Sequence, residues 1–232
     1  MLEKVLIRNF LSRNSYSAGV VVSLFILLLC YLTSTIYWND IAGLDNYLAA
    51  NPQNVFADQE YWRLVTTLFV HGDLKHLLSN SMLLMVMSYY VYSHYGAKVY
   101  PFLSLLMGAL VNLLVLASFE HNITLVGISG VVYFLWGFWL YLFVRIQRHI
   151  PLYRRFMKVL IVGSALLIPE VFEANVSHLA HYLGLFLGVI NGACYFMVYG
   201  TKIRRFEEWE SVLEEPLDAS MDYVQTTSPI EE

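Results

Sequence analysis

Charge is what this sequence has least of. Only 14% of its 232 residues are Asp, Glu, Lys or Arg, against about 25% in an ordinary soluble domain. A soluble chain of this length would have too few charges to cover its surface. Disorder is excluded as well, because 58% of the residues are hydrophobic and a disordered chain is poor in them. Basic residues are also in the minority: 14 Lys and Arg against 18 Asp and Glu leave a net charge of −4. That balance gives no footprint for nucleic acid, which is not an expected partner. Cysteine is scarce too. Cys30 and Cys194 are the only two, both inside apolar runs, so neither a disulfide framework nor a zinc site is expected. No motif for a metal or a nucleotide cofactor is visible, and none is expected. Without an internal repeat, an inverted-repeat transporter gains no support.

What the chain has instead is long uncharged windows. A helix needs about 20 apolar residues to cross about 30 Å of hydrocarbon. Uncharged stretches of 26, 22, 21, 24 and 28 residues follow Arg13, Lys75, Lys98, Glu120 and Glu173. A sixth apolar stretch, Phe156 to Phe172, carries Lys158 and Glu170 near its ends, where a lysine can snorkel to the interface. The expected fold is therefore all-α: a polytopic membrane protein of six transmembrane helices. The first window is too long for a cleaved signal peptide and lacks a small-residue cleavage site.

Orientation is set by the cations. With the N-terminus inside, all basic residues except Arg63 and Lys75, 12 of 14, fall on cytoplasmic segments, so both termini are expected in the cytoplasm. Three regions result: a cytoplasmic segment at 1–14, a six-span core at 15–200 and a tail at 201–232. Within the core, the outer loop 39–73 mixes aromatic and charged residues and is expected to lie on the membrane surface. Nine of the 18 acids lie between 206 and 232, with no basic residue after Arg205. Such a tail is expected to be disordered.

Polar groups inside a membrane are costly and mark candidate function. Ser129 comes nine residues after Glu120, and His181 eight after Glu173. If both spans are helical from the outer boundary, the two side chains share a depth of roughly 12 Å. A serine needs a neighbouring base to become a nucleophile, and a histidine at equal depth can be that base. Gly127 and Gly130 beside Ser129 let a backbone or a substrate come close. His76 and Asn80 share one face of the second span, and an amide and an imidazole are the donors an oxyanion hole needs. Gly184 and Gly188 form a small-xxx-small packing face, and Tyr133 lies one turn after Ser129. Plain helix packing would also use such serines and glycines. His76 alone would suit a helix cap, and His71, five residues earlier, reads as a loop surface residue.

Together these residues resemble the rhomboid family of intramembrane serine proteases. The resemblance rests on Trp62-Arg63, His76-x-x-x-Asn80, Gly127-x-Ser129-Gly130-x-x-Tyr133 and Ala180-His181-x-x-Gly184-x-x-x-Gly188, in the family's order over roughly residues 15–200. It implies an endopeptidase that cuts in or beside a substrate's transmembrane segment. Ser129 would be the nucleophile and His181 the general base, a dyad without aspartate. His76, Asn80 and the Ser129 N–H would hold the oxyanion, Tyr133 would pack on the imidazole, and Gly127 would shape the hole. Trp62 and Arg63 would be structural, and the fifth span with the loop from Glu170 to Ser177 would form a gate and cap. The implied partners are a transmembrane substrate and lipid, and the implied place is a bacterial inner membrane. One position departs from bacterial relatives: Tyr92 stands four residues before Gly96, where they often carry a structural glutamate. The alternatives are a catalytically silent relative that binds membrane clients and a transporter relaying protons through His181 and Glu170.

Overall fold

The computed structural model of the protein describes residues 2–13, 18–118, 123–171 and 177–213, with 2–3, 165–171 and 213 described by backbone alone. In chain order these hold strand β1 (Leu2–Arg8), helices α1 (Ala18–Trp38), α2 (Arg63–Thr66), α3 (Leu74–Tyr95), α4 (Ser104–Ser118), α5 (Ser129–Ile146), α6 (Leu152–Val171) and α7 (His178–Arg204), and strand β2 (Glu208–Leu213). All but α2 are long helices, and they fall in the six expected stretches. Among the described residues four helical stretches are long and apolar enough to cross a membrane: Ala18–Trp38, Lys98–Ser118, Ser129–Ile146 and His178–Arg204. The other two long helices are more polar. α3 carries Lys75, His76, Ser79, Asn80 and Ser81 in its first turns, and α6 carries Arg154, Arg155 and Lys158.

The packing is that of a membrane bundle, with apolar side chains outward and small polar ones inward. Phe25, Met82, Phe102, Phe186 and Met197 are exposed, while Ser23, Ser34, Ser88 and Asn112 are buried. Ser23 and Ser88 join their hydroxyls between α1 and α3, as small residues commonly do where membrane helices meet. α5 lies at the centre, with Phe134, Leu135, Phe138 and Leu142 fully buried. Helices α3, α4, α6 and α7 all pack against it.

Glycines draw α7 onto α5. A Cβ on Gly184 would stand 2.5 Å from the Gly130 carbonyl oxygen, and one on Gly188 2.2 Å from that of Phe134. A Cβ on Gly192 would be 3.0 Å from the Phe138 oxygen. The contacts advance by four residues on both helices together, so α5 and α7 run parallel and their first turns lie side by side.

The far end of the bundle differs from expectation. The tail was expected to be disordered from 201, yet α7 runs to Arg204 and residues 208–213 pair with β1 as an antiparallel ribbon. The acidic count was a local reading, and the partner lies at the other end of the chain. Arg8 stands opposite Glu208, with 4.0 Å between their charged groups. Leu6 stands opposite Trp209. Among the described residues the fold is thus mostly helical with one small sheet. Residues 214–232, and 172–176 of the expected cap, lie outside the described residues.

Candidate active site

Three helices begin at one end of the bundle, and each contributes to the site from its first turns. α3 is capped by Asp73, whose carboxylate accepts from the His76 N–H at 2.8 Å. α7 is capped by Ser177, whose hydroxyl accepts from the Ala180 N–H at 3.3 Å. α5 starts at Ser129 itself, after the non-helical Ile128. This corrects the expected helical entry from Glu120. Residues 123–128 are not helical, because their backbone pairs with the outer loop. Leu125 exchanges hydrogen bonds with Ala50, and the Gly127 N–H donates to the Thr67 carbonyl at 3.0 Å. Ser129 and His181 are level because both sit in opening turns of parallel helices, not because each lies a fixed number of helical residues below a boundary.

The outer loop is held together by its own hydrogen bonds. Arg63 is buried; its Nη1 donates to the Ala49 carbonyl at 2.8 Å and its Nε to the Glu60 carboxylate at 2.5 Å. Thr66 donates to the Leu48 carbonyl at 2.9 Å. Trp62, beside Arg63, is exposed.

A cavity of about 290 Å³ opens between these helix starts, lined by His76, Gly127, Ser129, Gly130, Ser177 and Ala180 among others. Ser129 is partly exposed there. His181, next after Ala180, is buried and stacks on Tyr133, with ring centroids 4.2 Å apart and planes 8° from parallel. His178 meets the His181 ring edge-on at 6.1 Å. The His181 imidazole also interacts electrostatically with His76. Gly127 has φ +116°, a value that favours glycine. A Cβ there would lie 3.1 Å from His76 Cε1. Asn80 is buried, and its amide donates to the His76 carbonyl at 3.2 Å, which leaves its second N–H to spend elsewhere.

Several site residues escaped sequence reasoning. His71 was expected on a loop surface and is fully buried. Its backbone N–H donates to Ser34 Oγ at 3.0 Å, and its carbonyl accepts from Trp38 Nε1 at 2.7 Å. Its ring meets that of His76 edge-on at 5.2 Å. Burial first, and the His76 imidazole second, push the His71 side chain down to about 3. Asn112 lines the cavity and ties α4 to the outer loop through the Leu64 carbonyl at 2.9 Å. Its signal was present, an asparagine inside an apolar run. Gly137 also escaped notice, though a Cβ there would stand 2.2 Å from the Leu185 carbonyl oxygen.

A comparison with curated proteins found no match. The model of the rhomboid domain matches residues 58–198, from the outer loop through most of α7. That is well over half of the chain, and with the membrane-type packing of its helices it makes the protein an integral, multi-pass member of the rhomboid family.

Proposed function

We propose that the protein is an intramembrane serine endopeptidase in which Ser129 is the nucleophile and His181 the general base. The observation that carries this reading is the pairing of opening turns. Ser129 faces a cavity from the start of α5, and beside it α7 holds an imidazole flat against Tyr133. Family membership supports it, since rhomboids are generally intramembrane serine proteases acting on membrane-protein substrates. In this reading α3 and α6 also cross the bilayer, giving six spans with both termini in the cytoplasm.

The cavity admits water to a depth where polar groups are otherwise excluded. A substrate helix unwinds locally to present a carbonyl. Ser129 Oγ attacks it while His181 takes the hydroxyl proton. The oxyanion is met by the Ser129 N–H at the start of α5, where the helix dipole favours negative charge. His76 and the Asn80 amide supply the remaining donors. His181 then protonates the leaving amine, and water hydrolyses the acyl-enzyme.

The test is cleavage of a transmembrane substrate by protein reconstituted in liposomes. Ser129→Ala and His181→Ala are each expected to abolish cleavage, and a fluorophosphonate probe is expected to label wild type but not Ser129→Ala. Asn80→Ala is expected to lose about 10²–10³ in rate, as for one oxyanion donor. Cleavage by both dyad variants at the wild-type rate would overturn the assignment. Binding of an intact client without any cleavage by wild type would favour the silent relative.

A further inference from the structure

The end of the bundle opposite Ser129 holds a second cavity, of about 510 Å³, between the last turns of α3 and α7. That volume is in the range of small-ligand sites, about 300–1,000 Å³. Its charge is one-sided. Arg13, Lys98, Lys202 and His94 line it, and no carboxylate does. Among the described residues none of Arg13, Lys98 and Lys202 has a carboxylate within 4.0 Å, whereas the nearby Arg8 and Arg148 each have one. Arg13 instead lies over the rings of Phe10 and Phe206, at 4.6 and 5.3 Å. The C-terminal ends of α3 and α7 bring about half a negative charge each, too little to offset three full cations.

Two further features point to a polar occupant with an apolar body. Ser93 and Tyr95 line the cavity, both are more than nine-tenths buried, and their hydroxyls have no hydrogen-bond partner among the described residues. Tyr195 and Tyr199, whose rings are tilted by 39° with centroids 4.6 Å apart, also border the cavity. Tyrosine at such a depth is a mark of the membrane–water interface. The depth itself fits. From its first residue, His178, to Tyr199 in the cavity wall α7 rises about 32 Å, and hydrocarbon is about 30 Å thick. The cavity thus sits at headgroup level on the side opposite the Ser129 cavity.

We propose that this cavity binds the phosphodiester headgroup of an anionic phospholipid, held by Arg13, Lys98 and Lys202. Its apolar wall, with Val99 and Leu103, receives the upper part of the lipid. The site is separate from the proposed dyad, and its test does not depend on cleavage.

The test is native mass spectrometry of the full chain released from detergent micelles with phosphatidylglycerol or phosphatidylcholine added. Wild type is expected to retain one phosphatidylglycerol in preference to phosphatidylcholine. Lys98→Gln with Lys202→Gln is expected to weaken that retention about twenty-five-fold, about five-fold for each charge removed. The pair Lys98→Arg with Lys202→Arg is expected to keep it, which separates lost charge from lost folding. Arg154→Gln with Lys158→Gln, exposed cations outside the cavity, is expected to leave it unchanged. The proposal is overturned if phosphatidylcholine is retained equally, or if the α6 pair weakens binding as much as the cavity pair. It is overturned in favour of a soluble phosphate if excess inorganic phosphate displaces the lipid.

Discussion

The imidazole of His181 lies on the phenol ring of Tyr133 at 4.2 Å, almost parallel to it. The stack joins α7 to α5 one turn from Ser129, so it fixes a ring plane as well as a distance. Stacked aromatic pairs contribute about 0.5–1.5 kcal/mol beyond burial. Tyr133→Phe keeps the ring and is expected to keep most of the activity. Tyr133→Leu is expected to lower kcat up to about ten-fold, with KM unchanged. Steady-state kinetics on a transmembrane substrate separate the two. Equal losses in both variants would mean that the hydroxyl matters rather than the stack.

Gly188 meets the backbone of α5 where no side chain fits. A Cβ there would lie 2.2 Å from the Phe134 oxygen and 2.8 Å from the Phe138 nitrogen. Both are backbone atoms, so relief requires the helices to part. Overpacking of this kind costs about 1–3 kcal/mol. Gly188→Ala is therefore expected to melt at lower temperature in detergent. A melting temperature equal to wild type would show that α7 is not held by this contact.

Arg63 anchors the outer loop from within. Removing it leaves the Glu60 carboxylate without its donor and the Ala49 carbonyl with only the longer bond from Asn54 Nδ2, at 3.4 Å. Breaking a buried pair by deleting one member costs about 3 kcal/mol or more. Arg63→Ala is expected to expose 39–73 to proteolysis before the helices unfold. Arg63→Lys is expected to rescue only in part, because a lysine cannot reproduce the guanidinium fork. Cleavage sites mapped along the time course decide this, and wild-type resistance in Arg63→Ala would refute it.

His71 gives the protein an acid sensitivity. Folding pushes its side chain from an ordinary 6.5 down to about 3. Between these values the unfolded chain binds a proton that the folded chain does not. Stability therefore falls as pH drops through 6.5, with a slope of up to about 1.4 kcal/mol per pH unit from this one group. The groups facing it are His76 and Asp73 beside it, and Ser34 and Trp38 on α1. His71→Gln is expected to flatten the pH dependence of unfolding between 6 and 4. Parallel curves for variant and wild type would assign the sensitivity to other groups.

The sequence showed the helices better than their beginnings. Uncharged windows marked five of the six long helices, and an apolar stretch with Lys158 and Glu170 near its ends marked α6, because hydropathy is summed along one stretch of chain. The start of α5 was invisible to that sum. Residues 123–128 are as uncharged as α5 itself before Arg145, and pairing with Ala50, some 75 residues away, and with Thr67 keeps them out of the helix. Ser129, His181, His76 and Asn80 stood out because polar groups are rare in apolar runs. His71 did not, because it sits among polar loop residues, and its burial depends on Ser34 and Trp38 of another helix. The partners of Gly184 and Gly188 were likewise unreadable, since a spacing of four announces a close contact without saying with what.

The ribbon of β1 and β2 bears on how the chain is made. β1 is synthesised before the helices described above, and Arg8 must wait for Glu208, 200 residues later. At about 5–20 residues per second that wait is about 10–40 s. Through this interval a strand carrying Val5, Leu6 and Ile7 has both edges unpaired. Its closure comes only after the last helix is synthesised, so a paired ribbon is a late signal that the whole bundle has been delivered.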